Sequence, residues 1–457
     1  PAPPVIKMRC MPSLCFRDPE SASGTPNPIA CRHSPRLRFL KMAITSDLQA
    51  TFEVNGISYQ AGSHPVVVIC LDGSANAYLD AALAKDRMPN LKSMILQGSR
   101  LDARGALPSF TNVNNASIVT GVPPLQHGIC GNFFLDPSTG QEVMMNDASY
   151  LRCQTIMSAA ARAGRKVAVV TAKEKLRDIF AHQLEGIAFS SEKANQVTME
   201  KHGITEVESL VGKPAPEIYS AEASLYVLEA GVALLEAQKA DFLYLSTTDY
   251  MQHTYEPEAE PSLKFYEGID KALGQLLQTG ASIGITADHG MNAKQCLDGT
   301  PNVIFLESAI KEALNLDITA ILPITDPYVV HHGALGSFAV LHCPDAASHP
   351  LIESWCLKQP GITEVYRKEI ASQKLELPLD RLGDLVILSG RDVVLGKTPA
   401  HHDLSALKVG LRSHGGRYEE MVPFVFSHPL SENYTRKALG DPRNFHIFDY
   451  TINGLNR

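Results

Sequence analysis

From residue 66 onward the chain repeats one pattern: a short apolar run, a polar loop, then a longer segment with apolar positions at helical spacing. The runs at 66–71, 167–171, 242–246 and 282–286 are apolar nearly throughout, which suits strands covered on both faces. Further strands are expected at 99–106, 186–190 and 423–427. Helical spacing occupies 75–97, interrupted by Pro89, and then 149–164, 221–239 and 261–279. Residues 52–59 read as a hairpin turned by Asn55-Gly56. This alternation predicts an α/β fold: a doubly wound, mainly parallel sheet with helices on both faces.

Ligands of such sheets bind beyond the carboxyl ends of the strands. Asp72, Lys173, Asp249 and Asp288-His289 all fall just after a predicted strand, so one shared site is expected there. A second signal is the helical stretch 111–121, which follows Leu107-Pro108 and closes at Gly121. Its first hydroxyl, Thr111, is expected at a helix N-terminus, where free N–H groups and the helix dipole favour an anion. Taken alone, Thr111 is an ordinary helix cap. Between about 294 and 403 the texture changes. Strands at 336–343, 362–367 and 384–389 around a helix at 351–358 suggest a small α+β insertion of ferredoxin-like type, placed to cap the site. The expected organisation is therefore a core in two parts, 42–293 and 405–457, with a cap at 294–404.

Composition narrows the function. The 457 residues are 44% hydrophobic and 20% charged, as in soluble globular proteins, and no apolar run approaches a membrane span. The net charge of −8 argues against general nucleic-acid binding, so an anionic substrate needs local cations. Nine cysteines without a Cys-x-x-Cys pair point to a reducing compartment and a cytoplasmic location. Cys70 and Cys343 lie in apolar runs and read as buried thiols. Residues 1–41, rich in Pro, Ser and Arg, read as a disordered or extraneous segment, with Met42 as a natural start. Asp18 and Glu20 weaken a transit-peptide reading.

Asp72, Thr111, Asp249, His253, Asp288, His289 and His414 offer oxygen and nitrogen donors that suit two zinc-like ions, and the same set would accept manganese or iron. Two such ions could serve a displacement at phosphorus and activate the Thr111 hydroxyl. Blander readings stand beside each residue. Asp249 and His253 are spaced like a helical surface pair, and His414 like an ordinary loop histidine. His331-His332 and His401-His402-Asp403 read as surface or rim groups, and His127 as structural.

Taken in order, Asp72-Gly73, Thr111-Asn112, Asp249-x-x-x-His253, Asp288-His289-Gly290 and Ser413-His414-Gly415-Gly416 resemble the alkaline phosphatase superfamily. The stretches 117–121 and 126–129 are similar to its nucleotide pyrophosphatase/phosphodiesterase branch, while the Cys/Ser-x-Pro-x-Arg motif of its sulfatases is absent. The resemblance implies an alkaline phosphatase-like core. It also implies one zinc on Asp249, His253 and His414, a second on Asp72, Thr111, Asp288 and His289, and a covalent phospho-enzyme on Thr111.

Within that branch, 170–177 together with Asn132 is most similar to the phosphonoacetate hydrolase family. That resemblance gives Lys173 and Lys175 the substrate carboxylate and Asn132 a phosphoryl oxygen. The chemistry is consistent. Breaking a phosphorus–carbon bond expels a carbanion, which an adjacent carboxylate can absorb as an enediolate if ammonium groups stabilise it. The implied partner is a small molecule, phosphonoacetate, with no nucleic acid or membrane, and a homodimer is left open. The alternatives are a nucleotide pyrophosphatase/phosphodiesterase on the same scaffold and a metal-binding module without catalysis.

Overall fold

Seven strands form the main sheet, in the order Ser99–Arg104, Met421–Phe426, Ser282–Thr286, Val66–Cys70, Phe242–Ser246, Val167–Thr171 and Ile187–Ser190. The last five are mutually parallel, and Met421–Phe426 runs antiparallel to both its neighbours. This is a computed structural model, and it describes residues 51–325, 333–405, 407 and 410–457. Segment 1–41, Met42 and the pair His331-His332 lie outside the described residues.

The parallel strands are buried along their whole length. Alternate side chains feed two separate apolar cores. Val66, Val68 and Cys70 pack on one face, and Val67, Ile69 and Leu71 on the other. That period of two explains why the runs must be apolar at every position. The predicted doubly wound α/β sheet is present, and so is the hairpin, Thr51–Val54 with Ile57–Gln60. Its turn residues Asn55 and Gly56 both have positive φ, 51° and 82°, as a tight two-residue turn demands. Among the described residues no helix is long and apolar enough to cross a membrane.

Two expected elements take a different form. The helix expected at 149–164 is a short turn, Ala148–Tyr150, followed by a helix only at Ile156–Arg162. The residues between serve tertiary contacts: Arg152 N–H donates to the His127 carbonyl, 3.0 Å, and its guanidinium pairs with Asp380. Thr155 then caps the shortened helix through the Ser158 N–H. The second difference concerns the insertion, whose sheet orders Thr319–Ile321, Phe338–His342, Leu385–Ser389 and Ile362–Arg367, all antiparallel. A ferredoxin-like arrangement would need Val303–Phe305 in that sheet, but this half-buried strand pairs with Val394–Gly396 instead. Three residues of alternation cannot specify a partner.

Apart from pairs such as Arg152–Asp380 and Lys397–Glu142, a set of contacts between the insertion and the core meets at the loop 414–419. Ser337 N–H donates to the His414 carbonyl at 2.9 Å. Lys294 and Glu419, both fully buried, pair at 2.9 Å. The lysine also donates to the Arg391 carbonyl, and the carboxylate accepts from Gly416 N–H at 3.0 Å and from Asn292. A buried pair of this kind adds little net stability when intact but is costly to break, because one charge stays behind. Glu419→Ala is expected to cost about 3–5 kcal/mol in chemical denaturation, and adding Lys294→Met should recover much of it. A loss below about 1 kcal/mol would show that Lys294 has another route to neutralisation.

Candidate metal centre and active site

Strand register brings the polar residues together. Cys70 lies level with Ser246 and Thr286, and Ser246 with Thr171, so four chains leave the sheet at one height. The ladder continues past the strand ends through Leu71 to Thr286, Thr247 to Cys70 and Ala172 to Ser246. Asp72, Lys173, Asp249 and Asp288-His289 therefore emerge side by side. Asp72 N–H is fixed by Thr247 Oγ1 at 2.9 Å. Gly73, at φ 71°, donates to Asp288 Oδ1, and a Cβ there would come within 2.8 Å of Asp249 Cβ. Only glycine fits so close an approach.

Three histidines complete the cluster, and each is aimed by a backbone carbonyl. Nδ1–H donates to Arg412 O from His253, to Gly290 O from His289 and to Ser109 O from His414, at 2.7–2.9 Å. A carbonyl can only accept, so in the neutral ring each inward Nε2 carries a lone pair. Those nitrogens face carboxylates: His253 lies 3.1 Å and His414 3.7 Å from Asp249 Oδ2, and His289 3.4 Å from Asp72 Oδ1. Burial, with His289 and His253 alongside, holds His414 well below the usual imidazole range and keeps it neutral.

The charge balance of the cluster calls for cations. Burial and the neighbouring Asp249 and Asp288 push Asp72 well above the usual carboxylate range. Asp72 Oδ1 is buried with no hydrogen-bond partner among the described residues. Burial raises Asp249 too, but the Lys173 ammonium and His253 outweigh it and hold its carboxyl low. Lys173 Nζ bridges Asp72 Oδ2 at 2.9 Å and Asp249 Oδ1 at 2.8 Å, one ammonium among three buried carboxylates. Two overlapping groups that share His289, Asp72 with Asp288 and His289, and Asp249 with His289 and His414, each bring their donor atoms within 4.8 Å of one another, close enough for a metal ion. His253 joins through Asp249 Oδ2 and beside the His414 ring, so the donors meet as one cluster rather than as two separated sets.

Thr111 closes the site. It is the first residue of the wholly buried helix Thr111–Thr120 and not its cap, which is Phe110. Its hydroxyl is therefore not spent on a helix N–H, and lies 3.3 Å from His289 Nε2. The Asn132 side-chain oxygen, Oδ1, accepts the Asn112 N–H at 3.0 Å, which places that side chain at the positive end of the helix. Gly415, at φ 119°, lets the His414 loop pass Phe110, where a Cβ would meet the ring at 2.4 Å.

Lys175 sits in the first turn of the helix Glu174–Phe180 rather than on a loop with Lys173. Burial and the nearby Lys173 push its ammonium down to about 7. Glu174 secures this turn by accepting from Ser190 Oγ at 2.6 Å and from Arg177 Nε at 3.0 Å. Two histidines outside the cluster have structural roles. His127 bonds Ser117 and the Ile129 N–H, and burial takes it down to about 3. His402 bonds Lys397 N–H and the Gly333 carbonyl, while His401 is exposed.

One contributor was not picked out from the sequence. Asn115 donates to Asp288 Oδ2 at 3.0 Å and accepts from Tyr244 OH and Ser246 Oγ. It stands one helical turn beyond Thr111, and that spacing is the signal that could have found it.

The type I phosphodiesterase / nucleotide pyrophosphatase family model matches residues 66–416. A crystal structure of phosphonoacetate hydrolase from Sinorhizobium meliloti 1021 in complex with phosphonoacetate is similar, with 45% identity and a TM-score of 0.84. The match covers 88% of this chain and 98% of that one. Human ectonucleotide pyrophosphatase / phosphodiesterase 5 shares the fold at 17% identity and a TM-score of 0.54, over 80% of this chain and 88% of that one. An uncharacterised pyrophosphatase/phosphodiesterase of Schizosaccharomyces pombe is 35% identical over 96 residues, 20% of this chain, and the chain spans only 19% of that relative's length.

Asn115→Ala removes the partner that orients Asp288 without touching the cluster's donors. Affinity for a divalent metal ion, measured against a competing chelator, should fall roughly 10–100-fold. Unchanged affinity would mean that Gly73 and His289 N–H suffice to orient Asp288.

Proposed function

The chain belongs to the type I phosphodiesterase / nucleotide pyrophosphatase family, and we propose that it is a phosphonoacetate hydrolase that releases acetate and phosphate. The observation that carries this reading is Lys173 set between Asp72 and Asp249 in the Asp/His/Thr donor cluster, with Lys175 two residues on in the first turn of the next helix. The substrate named in the structure of the Sinorhizobium meliloti 1021 enzyme supports it. We read residues 294–404 as a cap and 405–457 as the return to the core. The cysteine usage fits a cytoplasmic enzyme.

The donor set fits two zinc ions. Its orphaned Asp72 oxygen, inward lone pairs and surplus carboxylates all favour cations. Asp249, His253 and His414 would hold one, and Asp72, Thr111, Asp288 and His289 the other. When bound, such ions supply charge for the phosphoryl oxygens and lower the pKa of a hydroxyl. Lys173 Nζ, which lies on Asp72 and Asp249 here, would be released toward the substrate carboxylate when those two side chains serve as metal ligands.

Thr111 Oγ then attacks phosphorus, held at the helix N-terminus with Asn132 beside it. The phosphorus–carbon bond breaks and its electron pair moves onto carbon, delocalised into the carboxylate as an enediolate. Lys173 and Lys175 stabilise that charge, and protonation at carbon gives acetate. Water hydrolyses the phospho-threonine, so phosphate leaves and the hydroxyl is restored.

Phosphate release from phosphonoacetate by zinc-loaded protein tests the reading. Thr111→Ala should abolish it. Lys173→Ala and Lys175→Ala should each lower kcat/KM for phosphonoacetate at least about 100-fold, as for a lost transition-state donor, with far less effect on an aryl phosphodiester. Turnover of the diester alone would replace the carboxylate clamp with a phosphodiesterase reading. Chelation should remove activity on either substrate, and zinc should restore it.

A further inference from the structure

We propose that the smaller sheet carries a second kind of metal site, in which Cys343, His349 and Asp384 hold one zinc-like ion away from the reaction centre. Their donor atoms, a sulfur, an imidazole nitrogen and a carboxylate oxygen, all lie within 4.8 Å of one another. His349 Nε2 and Asp384 Oδ1 are 3.7 Å apart, too far for a hydrogen bond. Tetrahedral zinc with ligand bonds of about 2.0–2.3 Å places neighbouring donors roughly 3.3–3.7 Å apart. The observed spacing suits an ion between them better than a direct contact.

Two of the three donors stand on a rigid frame. Cys343 follows the strand Phe338–His342, and Asp384 precedes its partner Leu385–Ser389. The ladder extends to them, since Asp384 N–H donates to the Leu341 carbonyl and Cys343 N–H to Asp384 Oδ2, both at 2.8 Å. The second bond fixes the carboxylate and turns Oδ1 toward His349, as outer bonds do in metal sites. His349 is the first residue of the helix His349–Cys356, so an ion here would tie that helix to the two strand ends. The His349 and Asp384 side chains are 19% and 26% exposed, which leaves a route for the ion and an open fourth position. Cys343 is half-buried at the rim of the sheet, and not sealed in the core as its apolar run suggested.

The sulfur gives the test its selectivity. The reaction-centre donors named above are oxygen and nitrogen, so a thiolate-to-cobalt absorption that disappears with Cys343→Ser reports the second site. The full chain loaded with Co2+ should show that near-ultraviolet band, and both Cys343→Ser and His349→Ala should lose it. Thr111→Ala should keep it. By metal analysis, zinc-loaded wild-type protein should hold one ion more per chain than Cys343→Ser, whatever the occupancy of the other cluster. Zinc should also raise Tm more in wild type than in Cys343→Ser, because binding to the folded state stabilises it. Phosphonoacetate turnover in Cys343→Ser should be unchanged. No band in wild type, a band that survives Cys343→Ser, or equal zinc content would each overturn the proposal and leave His349 and Asp384 as a weak surface pair.

Discussion

Three carboxylates, Asp72, Asp249 and Asp288, are forced together in a place where water cannot screen them, and much of the site's architecture answers that fact. Unpaired charges at such depth would cost several kcal/mol each. The protein surrounds them with oriented N–H groups, one lysine and three imidazoles whose protons are turned outward. Such an arrangement favours a positive group in the middle, a place that the Lys173 ammonium shares here. Charge of this kind, unfavourable for folding, is what a phosphoryl-transfer site uses to fix cations in place.

The centre was legible because parallel strands in register turn a one-dimensional pattern into a shared height. Once Val66–Cys70, Val167–Thr171, Phe242–Ser246 and Ser282–Thr286 are recognised as buried strands, the residues after them have nowhere to go but one edge. Thr111 was legible for a related reason, since a helix start beside that edge presents a hydroxyl. Its position one residue inside the cap makes the geometry better than expected, because a capping hydroxyl would be occupied.

What stayed hidden depends on distant partners. Asn115 looks like any polar residue of a small-residue helix until Asp288 and Tyr244 are placed around it. Lys173 follows a strand like its neighbours in the sequence, and the fold adds what the sequence does not show, its place between two carboxylates from residues 72 and 249. Lys294 and Glu419 are unremarkable charges in the sequence and a sealed pair in the fold. The 149–164 segment carries a helical pattern, but contacts from Arg152 to His127 and Asp380 outweigh its local preference. Such overrides are the ordinary way in which tertiary structure defeats periodicity.

The antiparallel strand Met421–Phe426 also constrains how the molecule is made. Within the sheet, Ser99–Arg104 has that strand as its one neighbour. On a ribosome, the first of these strands is exposed for roughly 300 residues of synthesis, tens of seconds at about 5–20 residues per second, before its partner exists. His414 arrives equally late, so a nascent chain has the carboxylates long before it has the last imidazole. Until then the growing polypeptide carries an open strand edge, a surface prone to wrong pairing.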